Sequence, residues 1–237
     1  MPNTTPIECL YCGKPLVPRV VELFGRQIAA GYLLCDCPEA IAERERECMD
    51  QAAAQERMER DALDRRLSAS GIKPRYLHAE DPRAEWLARK VLAGRSLYIV
   101  GPVGAGKTYL ACAVARILAE RGRGVRAASM VEVLDSIKAG FGSQDPLPQY
   151  QKAQVLVLDD LGKESPTDFA LERLFALIDE RNASMLPTIA TTQYRPARLI
   201  ERLAKHGDED TAVAIVSRLR QDSETVELAG HDRRRTC

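Results

Sequence analysis

Apolar residues follow three different patterns along this chain. Through residues 1–38 they are few and irregular, broken by the turn-formers Gly13, Pro15 and Pro18, with one β-like stretch over 16–24. Residues 39–70 are rich in Ala, Glu and Arg with no internal Gly or Pro. That composition predicts one long helix, roughly 45 Å at 1.5 Å per residue. Its apolar positions, Ile41, Met49, Met58, Leu63 and Leu67, are too sparse for a continuous coiled-coil seam. A solvated spacer is the plain reading, and a partner-binding helix is the alternative. Ser70-Gly71-Ile72-Lys73-Pro74 then stops the helix.

From about residue 72 short apolar runs alternate with helical segments. Strands are predicted over 96–100, 124–129, 154–159, 187–191 and 224–228. Helices are predicted over 107–121, 131–138, 168–181, 196–205 and 211–220. Such alternation implies an α/β fold with a parallel sheet covered by helices on both faces. The chain therefore divides into a module at 1–38, a helical linker at 39–70 and an α/β domain at 71–237.

Composition changes this picture little. Of 237 residues 45% are hydrophobic and 29% charged, which excludes a wholly disordered chain. The longest apolar runs, such as 155–158, are far too short to span a bilayer. No apolar segment follows Met1, so neither a secretory signal nor a membrane partner is expected, and the location is expected to be cytoplasmic. Lys and Arg number 34 and balance 34 Asp and Glu, which argues against strong autonomous binding of duplex DNA.

The chemistry is carried by a glycine loop. Gly101-Pro102-Val103-Gly104-Ala105-Gly106-Lys107-Thr108 matches the G-x-x-x-x-G-K-[ST] pattern, and it lies between a predicted strand and a predicted helix. The glycines allow successive N–H groups to face phosphate oxygens, and the helix adds its positive end. Lys107 reaches the β- and γ-phosphates of ATP, and the Thr108 hydroxyl ligates Mg2+. Tyr109 completes the expected nucleotide-binding set. About fifty residues on, an apolar strand ends in Asp159-Asp160. Asp159 is the expected magnesium-side acid and Asp160 the base or water-positioner. After the fourth strand, Gln193 either bonds the attacking water or is a plain loop residue.

Seven cysteines are unevenly spread, with Cys9, Cys12, Cys35 and Cys37 crowded near the start. Two close pairs 22 residues apart suit one tetrahedral Zn2+, although Cys35-x-Cys37 is tighter than the usual spacing. A 38-residue module has too little core to fold without such a staple. Free thiols, a redox pair and an iron–sulfur cluster are the other readings.

The glycine loop, Leu158-Asp159-Asp160-Leu161-Gly162, Thr191-Thr192-Gln193-Tyr194, and the closing Ser217-Arg218-Leu219-Arg220 and Gly230-His231-Asp232-Arg233-Arg234 together resemble the DnaC/DnaI-type AAA+ ATPases. These load a replicative helicase onto single-stranded DNA, and IstB-type ATPases that assist transposition share much of the domain. The resemblance covers about residues 70–234. It implies an AAA+ P-loop fold with ATP and Mg2+ at Lys107, Thr108 and Asp159, and with Asp160 as catalytic acid. It places Gln193 at sensor 1, Arg218 as a finger reaching a neighbouring copy, and Arg234, or the adjacent Arg233, at sensor 2. An Asp in place of the usual Glu, and a Gln in place of Asn, imply slow or partner-stimulated hydrolysis. The usual helical lid is expected to be absent or minimal, so self-association through the nucleotide site is expected. The implied partners are a replicative helicase, gripped by the cysteine module, and weakly bound single-stranded DNA. Arg195, Arg198, Arg202 and Lys205 are the candidate phosphate contacts. An IstB-like role and an ATP-switched adaptor are the alternatives.

Overall fold

The structure, a computed structural model, describes residues 7–23, 26–140 and 145–230, and divides into two units, Met1–Asp61 and Ala62–Cys237. In the first unit a turn forms at 9–13, where the Gly13 N–H bonds the Cys9 carbonyl at 2.9 Å. An antiparallel hairpin follows, β1 (Pro18–Leu23) and β2 (Arg26–Tyr32). The apolar pattern predicts one strand here; β2 mixes Gly and Ala with polar residues and carries no clear alternation. Helix α1 (Pro38–Ala69) starts directly after Cys37. Among the described residues the unit's buried cluster is Cys9, Cys37 and Ala40, with Leu16 and Cys35 packed on it.

Helix α1 changes character along its length. Met49 and Met58 are 73% and 70% exposed, whereas Leu67 is 1% exposed and packs with Leu63 in the core of the second unit. Burial of a leucine contributes about 2 kcal/mol, so the last turns of the helix are anchored and the middle is solvated. The segment after α1 runs beside the sheet, where the Ala127 N–H bonds the Ser70 carbonyl at 2.7 Å.

In the second unit come α2 (Ala84–Leu92), β3 (Ser96–Val100), α3 (Lys107–Glu120), β4 (Val125–Ser129) and α4 (Met130–Ala139). They are followed by α5 (Leu147–Gln151), β5 (Val155–Leu161), α6 (Asp168–Ala183), β6 (Thr188–Thr192), α7 (Pro196–Leu203), α8 (Glu209–Arg220) and β7 (Ser223–Glu227). The five strands β3–β7 form one parallel sheet in the order β4-β5-β6-β3-β7. Side chains alternate across it, as a pleated strand requires. Leu97, Ile99, Val155, Val157 and Ile189 face the layer of α2 and α3. Tyr98, Val100, Leu156, Leu158 and Ala190 face the layer of α4 to α8. Helix starts are fixed by side-chain caps at Ser129, Thr167 and Asp208. Among the described residues no helix is long and apolar enough to cross a membrane.

One buried cation ties the α6 side together. Arg181 is 1% exposed, and among the described residues its hydrogen-bond partners are neutral acceptors. Its guanidinium donates to the carbonyls of Tyr150 (2.8 Å), Ala153 (2.8 Å) and Pro187 (2.7 Å) and to the Thr188 hydroxyl (2.9 Å). Burial lowers its pKa to about 10. The planar fork thereby closes the ends of α5, β5 and β6. Arg181→Leu is expected to cost roughly 3 kcal/mol by stranding those carbonyls. A melting scan should show a drop of about 6 °C or more.

Candidate functional site

The glycine loop occupies the carboxyl end of β3 and feeds straight into α3. Gly104 and Gly106 take φ of +81° and +90°, a region open to glycine and strained for other residues. Gly106 is also the N-cap of α3 and provides no side-chain cap. The start of α3 therefore presents the positive end of the helix dipole to the cavity, a setting that suits an anion. Lys107 is buried at 7% exposure, and its Nζ donates to the carbonyls of Gly101 (3.0 Å) and Pro102 (2.9 Å). Gly101 itself is a packing residue: a Cβ there would come within 2.6 Å of the Leu228 carbonyl oxygen.

The acids lie within the last residues of β5, not beyond its end, and a register irregularity against β6 spans them. Nor is β5 next to β3; β6 lies between them. That insertion brings Thr191 into the site. Its hydroxyl donates to Asp159 Oδ1 at 2.6 Å and accepts from the Asp160 N–H at 2.9 Å. Thr108 Oγ1 donates to the same carboxylate at 2.9 and 3.1 Å. Burial raises the Asp159 pKa, and the two hydroxyls oppose that rise. A hydroxyl and a carboxylate in contact are the donor pair that Mg2+ takes in P-loop sites, so Thr108 and Asp159 fit that ion.

A cavity of about 410 Å³ opens over this end of the sheet, a size suited to a small-molecule ligand. Lys107, Thr108, Asp160 and Gln193 line it together, so the structure brings these expected residues to one place. Val103, Gly104, Gly106 and Tyr109 also line it. The side chain of Ala105 does not, being buried in the core. Asp159 faces an adjoining cavity of about 240 Å³ that shares Thr108 and Asp160. Sequence reasoning missed the far wall, which is made by Arg75, Tyr76 and Glu80. These come from a short 3₁₀ turn, Pro74–Tyr76, and the segment after it. The Glu80 N–H bonds the Tyr109 hydroxyl at 3.1 Å. No motif marks this segment; its packing on α3 does.

The arginines implied by the resemblance stand apart from this cavity or outside the described residues. Arg218 does not line the cavity; its Nε meets Asp179 Oδ1 at 2.7 Å, and its guanidinium lies over the Phe175 ring. Arg233 and Arg234 lie outside the described residues. Of the proposed phosphate contacts, Arg195 pairs with Glu227 and Arg198 with Glu201. Arg202 is turned inward, donating to the carbonyls of Gly162 (3.0 Å) and Glu164 (3.1 Å).

Comparison with known proteins bears on this geometry. Residues 48–236 match the family described as IstB-like ATP binding protein. The chain belongs to that family. It is 34% identical over 107 residues to a protein assigned to ATP binding in an insertion sequence of Mycobacterium tuberculosis, covering 44% of this chain and 43% of that one. It is 26% identical over 149 residues to the replicative helicase loader DnaI of Bacillus subtilis, covering 60% and 48%. The crystal structure of DnaI superimposes with a TM-score of 0.59 at 27% identity, over 66% of this chain and 95% of that one. The chain spans about half the length of the curated relatives it matches. By family this chain is an IstB-like ATP-binding protein, and its α/β fold with a five-strand parallel sheet is that of the AAA+ neighbours DnaI and DnaC.

The cysteine cluster precedes the family match. The sulfurs of Cys9, Cys12, Cys35 and Cys37 all lie within 4.8 Å of one another. Cys9 and Cys37 are 3.9 Å apart, and Cys12 and Cys35 are 3.5 Å apart. A tetrahedron with 2.3 Å Zn–S bonds has edges of about 3.8 Å, so the four sulfurs fit a single zinc ion. Hydrogen bonds from the backbone of Cys12 and Tyr11 lower the Cys9 pKa, whereas burial and the neighbouring sulfurs raise that of Cys37, so without a cation the cluster favours one thiolate at Cys9.

Two outcomes follow from this geometry. Metal analysis of the purified chain should find about one zinc per molecule, lost in Cys9→Ser and kept in Cys48→Ser. Thr191→Val should weaken magnesium-dependent ATP binding about tenfold, while Thr191→Ser stays within about twofold, as measured by equilibrium titration.

Proposed function

We propose that this IstB-like chain is an ATP-dependent loader of a replicative DNA helicase onto single-stranded DNA. The carrying observation is the cysteine module, whose surface is apolar beside its ligands. Leu10 and Leu34 are 95% and 75% exposed, and Tyr11 and Leu33 are also exposed. Exposed apolar groups on a module with so little core of its own suit a protein-docking surface. The DnaI and DnaC likeness of the ATPase core supports a helicase as the partner. In this reading residues 1–38 are the zinc-bound gripping module, 39–70 the linker and 71–237 the motor, all in the cytoplasm.

At the site, the start of α3 and the Lys107 side chain hold the β- and γ-phosphates. Bound Mg2+, held by Thr108 and Asp159, supplies charge neutralisation at those phosphates. Asp160 and Gln193 orient the attacking water. Asp160 is one methylene shorter than the usual acid, which supports slow turnover. The transition-state cation is Arg218 from a neighbouring copy, drawn away from Asp179 when copies associate. The sensor arginine is Arg234 or its neighbour Arg233. Because Arg195, Arg198 and Arg202 already have partners, binding of single-stranded DNA is weak and salt-sensitive.

A second reading, an ATPase assisting transposition, is favoured by the family match and by the insertion-sequence relative. Capture of purified helicase separates the two. The full chain should retain the host's replicative helicase in the presence of ATP. A Leu10→Ser, Leu34→Ser double variant that still carries its metal should lose most of that capture. Absence of capture by the parent chain overturns the loader reading in favour of transposition.

A further inference from the structure

Lys163 belongs to no motif, yet it stands in the nucleotide cavity. Its Nζ lies 2.5 Å from Asp160 Oδ2, and both residues line the space also lined by Lys107, Thr108 and Gln193. An i,i+3 ion pair on an open surface contributes little. This pair differs because the turn that carries it is held on several sides. Asp160 takes φ of +55°, and its N–H is held by Thr191. The Lys163 N–H bonds the Asp160 carbonyl at 3.2 Å. The Gly162 N–H bonds Glu164 Oε2 at 2.9 Å, and Glu164 is buried. Arg202 holds the carbonyls of Gly162 and Glu164 from α7.

The fixed turn creates an electrostatic problem. Asp159 is the acid in contact with Thr108, and Asp160 presents a second carboxylate to the nucleotide cavity. A γ-phosphate entering the same cavity would meet that charge at short range and be repelled. We infer that Lys163 neutralises Asp160 against the γ-phosphate and so sets the preference of the site for a nucleoside triphosphate over a diphosphate. Lys163 is a specificity-determining residue here, acting through Asp160. The inference rests on the cavity holding ATP with its γ-phosphate toward Asp160.

A double-mutant cycle on the full chain tests it, with fluorescent ATP and ADP analogues titrated at saturating magnesium. Lys163→Ala should weaken ATP about tenfold and ADP less than about twofold, the scale of one partly screened charge pair. Lys163→Arg should keep ATP affinity within about twofold. Removing the offending charge as well, in the Asp160→Asn, Lys163→Ala double variant, should restore ATP affinity to within about threefold of the parent. Equal weakening of ATP and ADP overturns the inference, as does no weakening, or a double variant as weak as Lys163→Ala. Lys163 is about half exposed, so the variants should fold, and their melting curves check that. Turnover by Asp160→Asn alone separately tests whether Asp160 positions water, so failure of that role is distinguishable from failure of the charge compensation.

Discussion

The Thr191 hydroxyl is the joint on which the nucleotide end of the sheet depends. It gives its proton to Asp159 and receives one from the Asp160 amide, so one side chain sets the position of both acids. Thr191 is fully buried on β6, the strand between β3 and β5. Without that strand the glycine loop and the acids would have no common reference. Each parallel pairing, β3 with β6 and β5 with β6, therefore transmits sheet register directly into the geometry of the site. The irregularity in the β5–β6 pairing falls at Asp159 and Asp160, where the strand must release its ladder to aim two carboxylates.

Around that joint the two units are stabilised in different ways. The second unit buries alternating side chains on both faces of its sheet, enough apolar surface to fold by packing. Among the described residues of the first unit the buried cluster is Cys9, Cys37 and Ala40. A metal held by those sulfurs would supply the cross-link that so small a cluster needs, and Leu10 and Leu34 stay exposed beside it. Such economy at the core is consistent with a docking module.

Legibility followed locality. The glycine loop was readable because its function depends on residues adjacent in sequence and on the strand and helix flanking them. Asp159, Asp160 and Gln193 were readable as strand ends in an alternating pattern. The cysteine set was readable from spacing, even with the tight second pair, because a turn and a helix start bring the pairs together. Helices α2 and α5 were not read: one is short and amphipathic, and the other is a single turn behind Pro146. Arg202 read as a candidate phosphate contact and is an internal clamp in the fold, because charge pattern alone does not reveal which carbonyls a helix packs against.

By itself the sequence determined the glycine loop between strand and helix, the position of the two acids, the sulfur cluster and the α/β class, since each is encoded by spacing within a strand, turn or helix. Tertiary structure decided which strand stands between loop and acids, and that Tyr76 and Arg75 complete the cavity wall. It also decided that Lys163 covers Asp160 while Arg218 is held by Asp179. Those outcomes depend on strand order and on contacts between residues far apart in the chain. Packing energy selects them over the whole domain, and no local pattern records the choice.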